Sequence, residues 1–228
     1  MKRLLLLVSC FVCAGAFAQD ADKAIESVKE KLALDDRTSV FDVKAVPTNG
    51  PTVLTGETSV PQAKEELLGM LKEQGIETID AITLLPDKKA LDGKIYGVIR
   101  IPVGTLRYGP SYASEQATQL LMGTPVRILK KEGWYLVQTP EDYVSWVSSS
   151  SVEPMTRQQF NEYLSHKKLI FLSDEGWIYE KPDASSARIA SVVVGALLLD
   201  KGSKGKYAHV ELPDGRKGYV LKKDVTDF

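Results

Sequence analysis

Ile25, Val28 and Leu32 recur at helical spacing with lysine and glutamate between them, so residues 23–34 are expected to form an amphipathic helix that stops at Asp35-Asp36. Strand-like runs then replace the helical period. Two of them, 40–46 and 52–56, flank Pro47-Thr48-Asn49-Gly50-Pro51, whose Asn-Gly pair and prolines predict a hairpin. Ser59-Val60-Pro61-Gln62 has the Ser-x-x-Gln form of a capping box with proline in the first turn, and Ala63, Leu67, Met70 and Leu71 line one face of the helix it opens. Gly75 is the natural stop for that helix, and residues 78–85 form a further strand candidate closed by Pro86. The order helix, strand, strand, helix, strand predicts a small α+β module over residues 22–86, with two helices packed on a sheet.

Residues 87–94 are polar, lack apolar periodicity and read as a linker. From Tyr96 the pattern changes to short β-type runs broken by glycine and proline, and it occurs twice. Leu106-Arg107-Tyr108-Gly109-Pro110-Ser111 leads to Gly123, to Trp134-Tyr135-Leu136-Val137 and to Ser145-Trp146-Val147. Trp177-Ile178-Tyr179-Glu180-Lys181-Pro182 leads to Gly195, to Tyr207-Ala208-His209-Val210 and to Gly218-Tyr219-Val220. Pro110 and Pro182, like Gly123 and Gly195, are about 72 positions apart, and Trp146 and Tyr219 about 73, as in a duplication with one loop insertion. Strands this short and this closely spaced predict small antiparallel barrels, over residues 95–153 and 169–228. Ser148 to Ser151 reads as a flexible seam. Within 154–168, Thr156-Arg157-Gln158-Gln159 is another capping box, opening a short helix with Phe160, Tyr163 and Leu164 that is expected to pack between the barrels. The expected fold class is multi-domain: a small α+β module followed by two small all-β barrels.

The first nineteen residues carry a different message. Lys2 and Arg3, an apolar run from Leu4 through Val12, and Ala16-Phe17-Ala18 before Gln19 are the three parts of a secretory signal, with cleavage expected after Ala18 and residues 1–18 removed. An uncleaved anchor is the alternative, but the run is shorter than the ~20 residues that span a bilayer. Leu7-Val8-Ser9-Cys10 also resembles a lipobox, with an unusually short apolar core for lipidation at Cys10. An exported protein in the periplasm or cell envelope is expected.

Export changes the chemistry available. Both cysteines, Cys10 and Cys13, lie in the signal segment, so the mature chain would hold no thiol for a disulfide, a nucleophile or a zinc site. His166 and His209 are the two histidines, in no metal-ligating spacing, and read as ordinary surface or strand residues. No cofactor or metal is expected. A formal charge of −1, made two units more negative by loss of Lys2 and Arg3, lacks the basic footprint of a nucleic-acid binder. Lys201, Lys204, Lys206, Lys222 and Lys223 are interspersed with Asp200, Asp224 and Asp227, which reads as a solvated mixed surface rather than an anion-binding patch.

Two resemblances add to this reading. Val53-Leu54-Thr55-Gly56-Glu57, a helix, and Gly75-Ile76-Glu77-Thr78-Ile79 resemble the BON domain of bacterial envelope proteins, which implies attachment to phospholipid or an envelope protein. A small α+β spacer is the alternative for the same residues. The duplicated order of an apolar-Arg-x-x-Pro-Ser start, a central glycine, an aromatic-led strand and a closing Ser-Trp-Val or Gly-Tyr-Val resembles bacterial SH3 (SH3b) domains. A signal, a helical module and paired SH3b domains are similar to the front half of secreted Bacteroides-type cysteine peptidases of the NlpC family, which cut peptidoglycan stem peptides after D-glutamate. Their catalytic domain follows the second SH3b and carries a cysteine nucleophile with histidine partners. The present chain, ending at Phe228, is expected to lack that domain and peptidase activity. It is then either a binder of peptidoglycan or its stem peptides, or the amino-terminal part of such an endopeptidase.

A small barrel fills its interior with side chains, so its ligand is expected in a surface groove where aromatic rings offer rigid area. The candidates in the first copy are Tyr108, Tyr112, Trp134, Tyr143 and Trp146, with Arg107 or Glu115 as charged contacts to a peptide terminus. Trp177, Tyr179, Tyr207 and Tyr219 are their counterparts in the second. Trp134, Trp146, Tyr207 and Tyr219 occupy matching strand positions in both copies and read as core packing ahead of ligand contact.

Overall fold

The computed structural model describes residues 19–228, so the signal-segment reading lies outside the described residues. Two compact units are present, one ending at Asp87 and one comprising Lys88–Phe228.

In the first unit, helix α1 runs through residue 31, followed by β1 (Phe41–Val46), β2 (Thr52–Thr58), α2 (Pro61–Glu73) and β3 (Thr78–Leu84). β1 and β2 are an antiparallel hairpin; β2 and β3 are parallel, joined by the α2 crossover. Alternation decides which face is covered. Val43, Leu54 and Ile82 on the strands share one core with Val28 of α1 and Leu67 and Leu71 of α2, so both helices lie on the same face of the sheet. The Lys64 ammonium of α2 ties the edge strand β3 down, 2.7 Å from Asp80 Oδ2 and donating to the Ile82 carbonyl at 2.8 Å. The capping box expected at Ser59 does not form: the helix N-cap is Val60, with no side-chain cap. Ser59 Oγ instead accepts the Val40 N–H at 2.9 Å, and Thr58 Oγ1 accepts that of Val60 at 3.0 Å. A tertiary donor at the hairpin base has displaced the local one.

The second unit contains two seven-stranded antiparallel sheets. The first comprises β4 (Tyr96–Ile99), β5 (Val103–Arg107), β6 (Gln116–Leu121), β7 (Pro125–Glu132), β8 (Trp134–Gln138), β9 (Val144–Ser148) and β10 (Val152–Met155). The second comprises β11 (Lys168–Phe171), β12 (Glu175–Tyr179), β13 (Arg188–Val193), β14 (Leu197–Lys204), β15 (Tyr207–Glu211), β16 (Lys217–Leu221) and β17 (Val225–Asp227). Strand orders are β10-β4-β7-β8-β9-β5-β6 and, taken from the matching edge, β17-β11-β14-β15-β16-β12-β13. Every strand of one copy thus has its counterpart in the other. The inserted residue lies in one hairpin: β7 and β8 turn on Gly133 alone, whereas β14 and β15 turn on Gly205-Lys206.

The closed barrels expected from the strand pattern are not formed. In a flat sheet at about 4.8 Å per strand, β10 and β6 would lie about 30 Å apart. Val152 on β10 and Leu120 on β6 nevertheless share one core with Leu106, Ile128 and Val147, so the sheet curls around its own interior. No ladder joins β10 to β6, or β17 to β13, and each curled sheet keeps two edges. The stretch read as a linker also takes part in packing, because Leu91 is buried in the first copy's core. The serine seam is not loose either. Ser149–Ser151 form a 3-10 turn, and Arg100 donates its backbone N–H to the Ser151 carbonyl and its Nε–H to that of Ser150.

Helix α3 (Arg157–Ser165) fills the junction between the copies. Both halves of its capping box are present: Thr156 Oγ1 accepts the Gln159 N–H and Gln159 Oε1 accepts the Thr156 N–H. Its Tyr163 packs with Val98 and Met155 of the first sheet and Leu199 of the second, and donates its hydroxyl to the Gly123 carbonyl at 2.9 Å. At the other end Lys168 Nζ donates to the carbonyls of Tyr163, Leu164 and His166, satisfying acceptors that a helix C-terminus leaves open. Met122 of the first copy is buried in the core of the second.

Candidate functional site

Strand register brings several of the candidate residues onto one outer face of the first copy. Arg107 on β5 lies directly opposite Trp146 on β9, and Trp146 opposite Leu136 on β8. One step further along β8, Trp134 faces Ser148. The neighbouring positions Leu106, Val137 and Val147 point into the core, so parity alone puts Arg107, Trp134 and Trp146 outside. Neither tryptophan belongs to the core cluster; both are half-buried on the surface, which overturns the core-packing alternative for this pair.

The loop between β5 and β6 folds over this face and makes it a shelf with a wall. Arg107 donates to the Ser114 carbonyl at 2.6 Å, and Tyr108 N–H to that of Glu115 at 3.1 Å. These bonds set the loop so that the Tyr112 ring meets Trp134 edge-on, with centroids 4.8 Å apart. The Tyr112 hydroxyl lies 3.1 Å from Ser148 Oγ, itself 2.9 Å from Ser150 Oγ, which gives a chain of three hydroxyls along the wall. Lys130, from the bulged part of β7, sits 5.2 Å from the Trp146 ring centroid and pairs with Glu132. Two rings on the shelf, a third on the wall and two cations surround an open surface. Such an arrangement suits a ligand with a flat or apolar part and hydrogen-bonding or anionic groups.

The other candidates lie elsewhere. Tyr108, on the same loop, is 60% exposed, and Glu115 is exposed at the loop's end. Tyr143 is in the β8–β9 turn beyond Val144, which pairs with Gln138, ~13 Å along the strand from Trp134. It is not part of the shelf. In the second copy Tyr179 faces Tyr219, which stacks on His209 at 4.9 Å, and the Arg188 guanidinium covers the exposed Trp177 ring at 4.6 Å. Tyr207 is buried. In the mixed lysine patch Lys201 lies 3.4 Å from Glu211, which Lys217 from outside the patch approaches at the same distance.

Sequence reasoning missed Lys130 and Ser148, whose place on the shelf comes from a bulge and a strand register. It also missed a groove of about 290 Å³ beside the stacked rings of Tyr96 and Phe160, with Arg127 and Asp142 on its lining. Those two rings meet only because α3 docks on β4.

Residues 106–152 match the model of the bacterial dipeptidyl-peptidase SH3 domain. No curated protein matches the chain. Among solved structures it is similar to an NlpC/P60 family protein from Bacillus cereus ATCC 10987, at 18% identity and a TM-score of 0.49, covering 58% of this chain and 56% of that one. An NlpC/P60 endopeptidase from Photobacterium damselae subsp. piscicida is similar at 14% identity and a TM-score of 0.44, covering 63% of this chain and 35% of that one. NlpC2 from Trichomonas vaginalis is similar at 16% identity and a TM-score of 0.25, covering 58% and 47%. The chain therefore spans little more than half the length of the first of these proteins and about a third of the second. Every residue of the shelf and its wall, from Arg107 to Ser150, lies inside the matched stretch, and an SH3-like domain of the bacterial type is present there.

Proposed function

We propose that this chain is an exported, non-catalytic cell-envelope protein whose tandem SH3 domains bind peptidoglycan through its stem peptides. The observation that carries the reading is the Tyr112, Trp134 and Trp146 shelf with Arg107 at its edge, set within the stretch that matches a peptidase SH3 domain. Rigid rings on a sheet face hold a short peptide without ordering long side chains, and the cation and hydroxyls fix its polar ends. Residues 19–228 contain no cysteine, so the chemistry of a thiolate peptidase has no nucleophile among them. Retention on purified sacculi tests the reading. The protein is expected to co-sediment with sacculi well above a buffer control, and no retention overturns it.

A second reading rests on the match to an SH3 domain of a peptidase: the chain is the substrate-binding front of an NlpC-type endopeptidase. Sequencing the DNA beyond the codon for Phe228 decides it, since an open frame encoding a Cys-and-His domain supports the reading and a stop codon overturns it. The α1-β1-β2-α2-β3 order supports a BON-like module in the first unit, contacting phospholipid or an envelope protein. Co-sedimentation with anionic vesicles tests the lipid arm, and a protein left in the supernatant counts against it.

A further inference from the structure

Comparison of the two copies, position by position, separates the residues that hold the sheet from those that line the shelf. The buried positions keep their character: Leu106, Val137 and Val147 become Ile178, Val210 and Val220, all buried. The shelf does not. Arg107 becomes Tyr179, Lys130 becomes Gly202, Tyr112 becomes Ala184 and Ser148 becomes Leu221. Both cations and the hydroxyl chain are gone, and the row across the second sheet, Tyr179, Tyr219 and His209, contains no lysine or arginine.

Arg107 is half-buried beside Trp146, and among the described residues no carboxylate lies within ion-pair distance of it. A guanidinium has five N–H donors in a planar fork, and the Ser114 carbonyl takes one direction of that fork. An incoming carboxylate would meet the remaining donors in a partly desolvated position, where charge-assisted pairs are strongest. Lys130 adds a second positive charge at the Trp146 ring, from the neighbouring side of the shelf. We infer that the first copy alone is the ligand-binding copy, and that the group it selects is a carboxylate carried next to an apolar or planar surface. This rests on the stem-peptide reading above, narrows it from the tandem pair to the first copy, and adds the charge of the recognised group.

The test is calorimetric titration of the protein with two synthetic peptides: L-alanyl-γ-D-glutamyl-L-lysine, and the same tripeptide with both carboxylates converted to carboxamides. The free acid is expected to bind at least about tenfold more tightly, as a charge-assisted hydrogen bond requires. Arg107→Gln is expected to bring the two peptides within about twofold of each other, whereas Tyr179→Phe leaves the tenfold ratio unchanged. Lys130→Gln, which leaves the Ser114 loop contact intact, is expected to lower the ratio by an intermediate amount. Equal binding of the two peptides by the unaltered protein, or discrimination that survives Arg107→Gln, overturns the inference while leaving peptide binding in place. Absence of binding by either peptide overturns the stem-peptide reading and the inference with it.

Discussion

Gly123 of the first copy lies against the main chain of Leu197 of the second, so closely that a Cβ at Gly123 would sit 2.6 Å from the Leu197 carbonyl oxygen. The contact is anchored by the Leu197 N–H, which donates to the Met122 carbonyl at 2.9 Å, and by the Met122 side chain in the second core. Its duplicate is present too: Gly195, the counterpart of Gly123, would meet Leu121 if it had a side chain. Gly123→Ala is expected to destabilise the second unit by on the order of 3 kcal/mol, through its φ of +90° and the backbone overlap together. Gly133→Ala is the control, since Gly133 has φ +74° but nothing within 4 Å, and it is expected to cost about 1 kcal/mol. Urea unfolding of both variants measures the difference; equal losses would mean that the inter-copy contact contributes nothing.

Alkaline pH acts at the same junction through Tyr163. Burial pushes its hydroxyl above the ordinary value of 10.0, so above pH 10 the unfolded chain loses a proton that the folded protein keeps. The stability supported by the neutral phenol is full below pH 10 and falls as pH rises beyond it, by at most about 1.4 kcal/mol per pH unit. Lys168 works in the opposite sense. Burial lowers its pKa below 10.5, so just under that value the unfolded chain holds the extra proton and stability rises with pH. Tyr163→Phe removes the hydrogen bond to Gly123 and is expected to cost about 1 kcal/mol near neutrality. Its deficit against the unaltered protein should shrink between pH 10 and 11.5 in urea titrations. A deficit that stays constant over that range rules the coupling out.

The order of elements in the first unit and the duplication in the second were legible because both are written in local spacing. Helical recurrence marks α2, and an offset near 72 pairs Gly123 with Gly195 whatever the strands do. Closure was not legible: alternation tells which side of a strand is apolar, not whether β10 pairs with β6. The four-residue strands β4 and β11 are too short to carry a period, yet each is paired on both sides, as the second strand in from the β10 or β17 edge of its sheet. For the shelf, residue type pointed to Arg107, Tyr112, Trp134 and Trp146, while Tyr143 was drawn in by the same criterion and lies at the other end of β8. What local pattern lacked was register, and register is what joins Lys130 and Ser148 to the tryptophans.

A buried hydroxyl offers a third measurement. Ser145 on β9 faces the core opposite Val137, and among the described residues its Oγ has no hydrogen-bond partner. An unsatisfied hydroxyl gives up its hydration for nothing in return, so Ser145→Ala is expected to stabilise the protein by about 1 kcal/mol. For a unit of this size that is a rise of roughly 2–4 °C in Tm. The equivalent change in the second copy, Gly218→Ala, should do the reverse, because a Cβ there would lie 2.6 Å from the Tyr179 carbonyl oxygen and from Ile178. Differential scanning calorimetry reads both, and a Tm that falls in Ser145→Ala would point to a partner for the hydroxyl.

Tyr112 separates the two contributions of the shelf's wall. Its ring edge on Trp134 supplies apolar area, and its hydroxyl, with Ser148 and Ser150, supplies polar contacts. Tyr112→Phe keeps the ring and frees it from Ser148, an exposed bond of small net worth, so binding of the tripeptide should weaken by less than about fivefold. Tyr112→Ala removes the edge contact as well, worth about 0.5–1.5 kcal/mol beyond its area, and should weaken binding by about tenfold or more. The thermal midpoint should barely move in either case, since Tyr112 is 72% exposed on its loop. Tryptophan fluorescence reads the geometry directly: emission of Trp134 should shift to the red in Tyr112→Ala as water reaches the ring. If both variants bind the tripeptide as the unaltered protein does, the wall is not part of the ligand site and Trp146 with Arg107 must account for recognition alone.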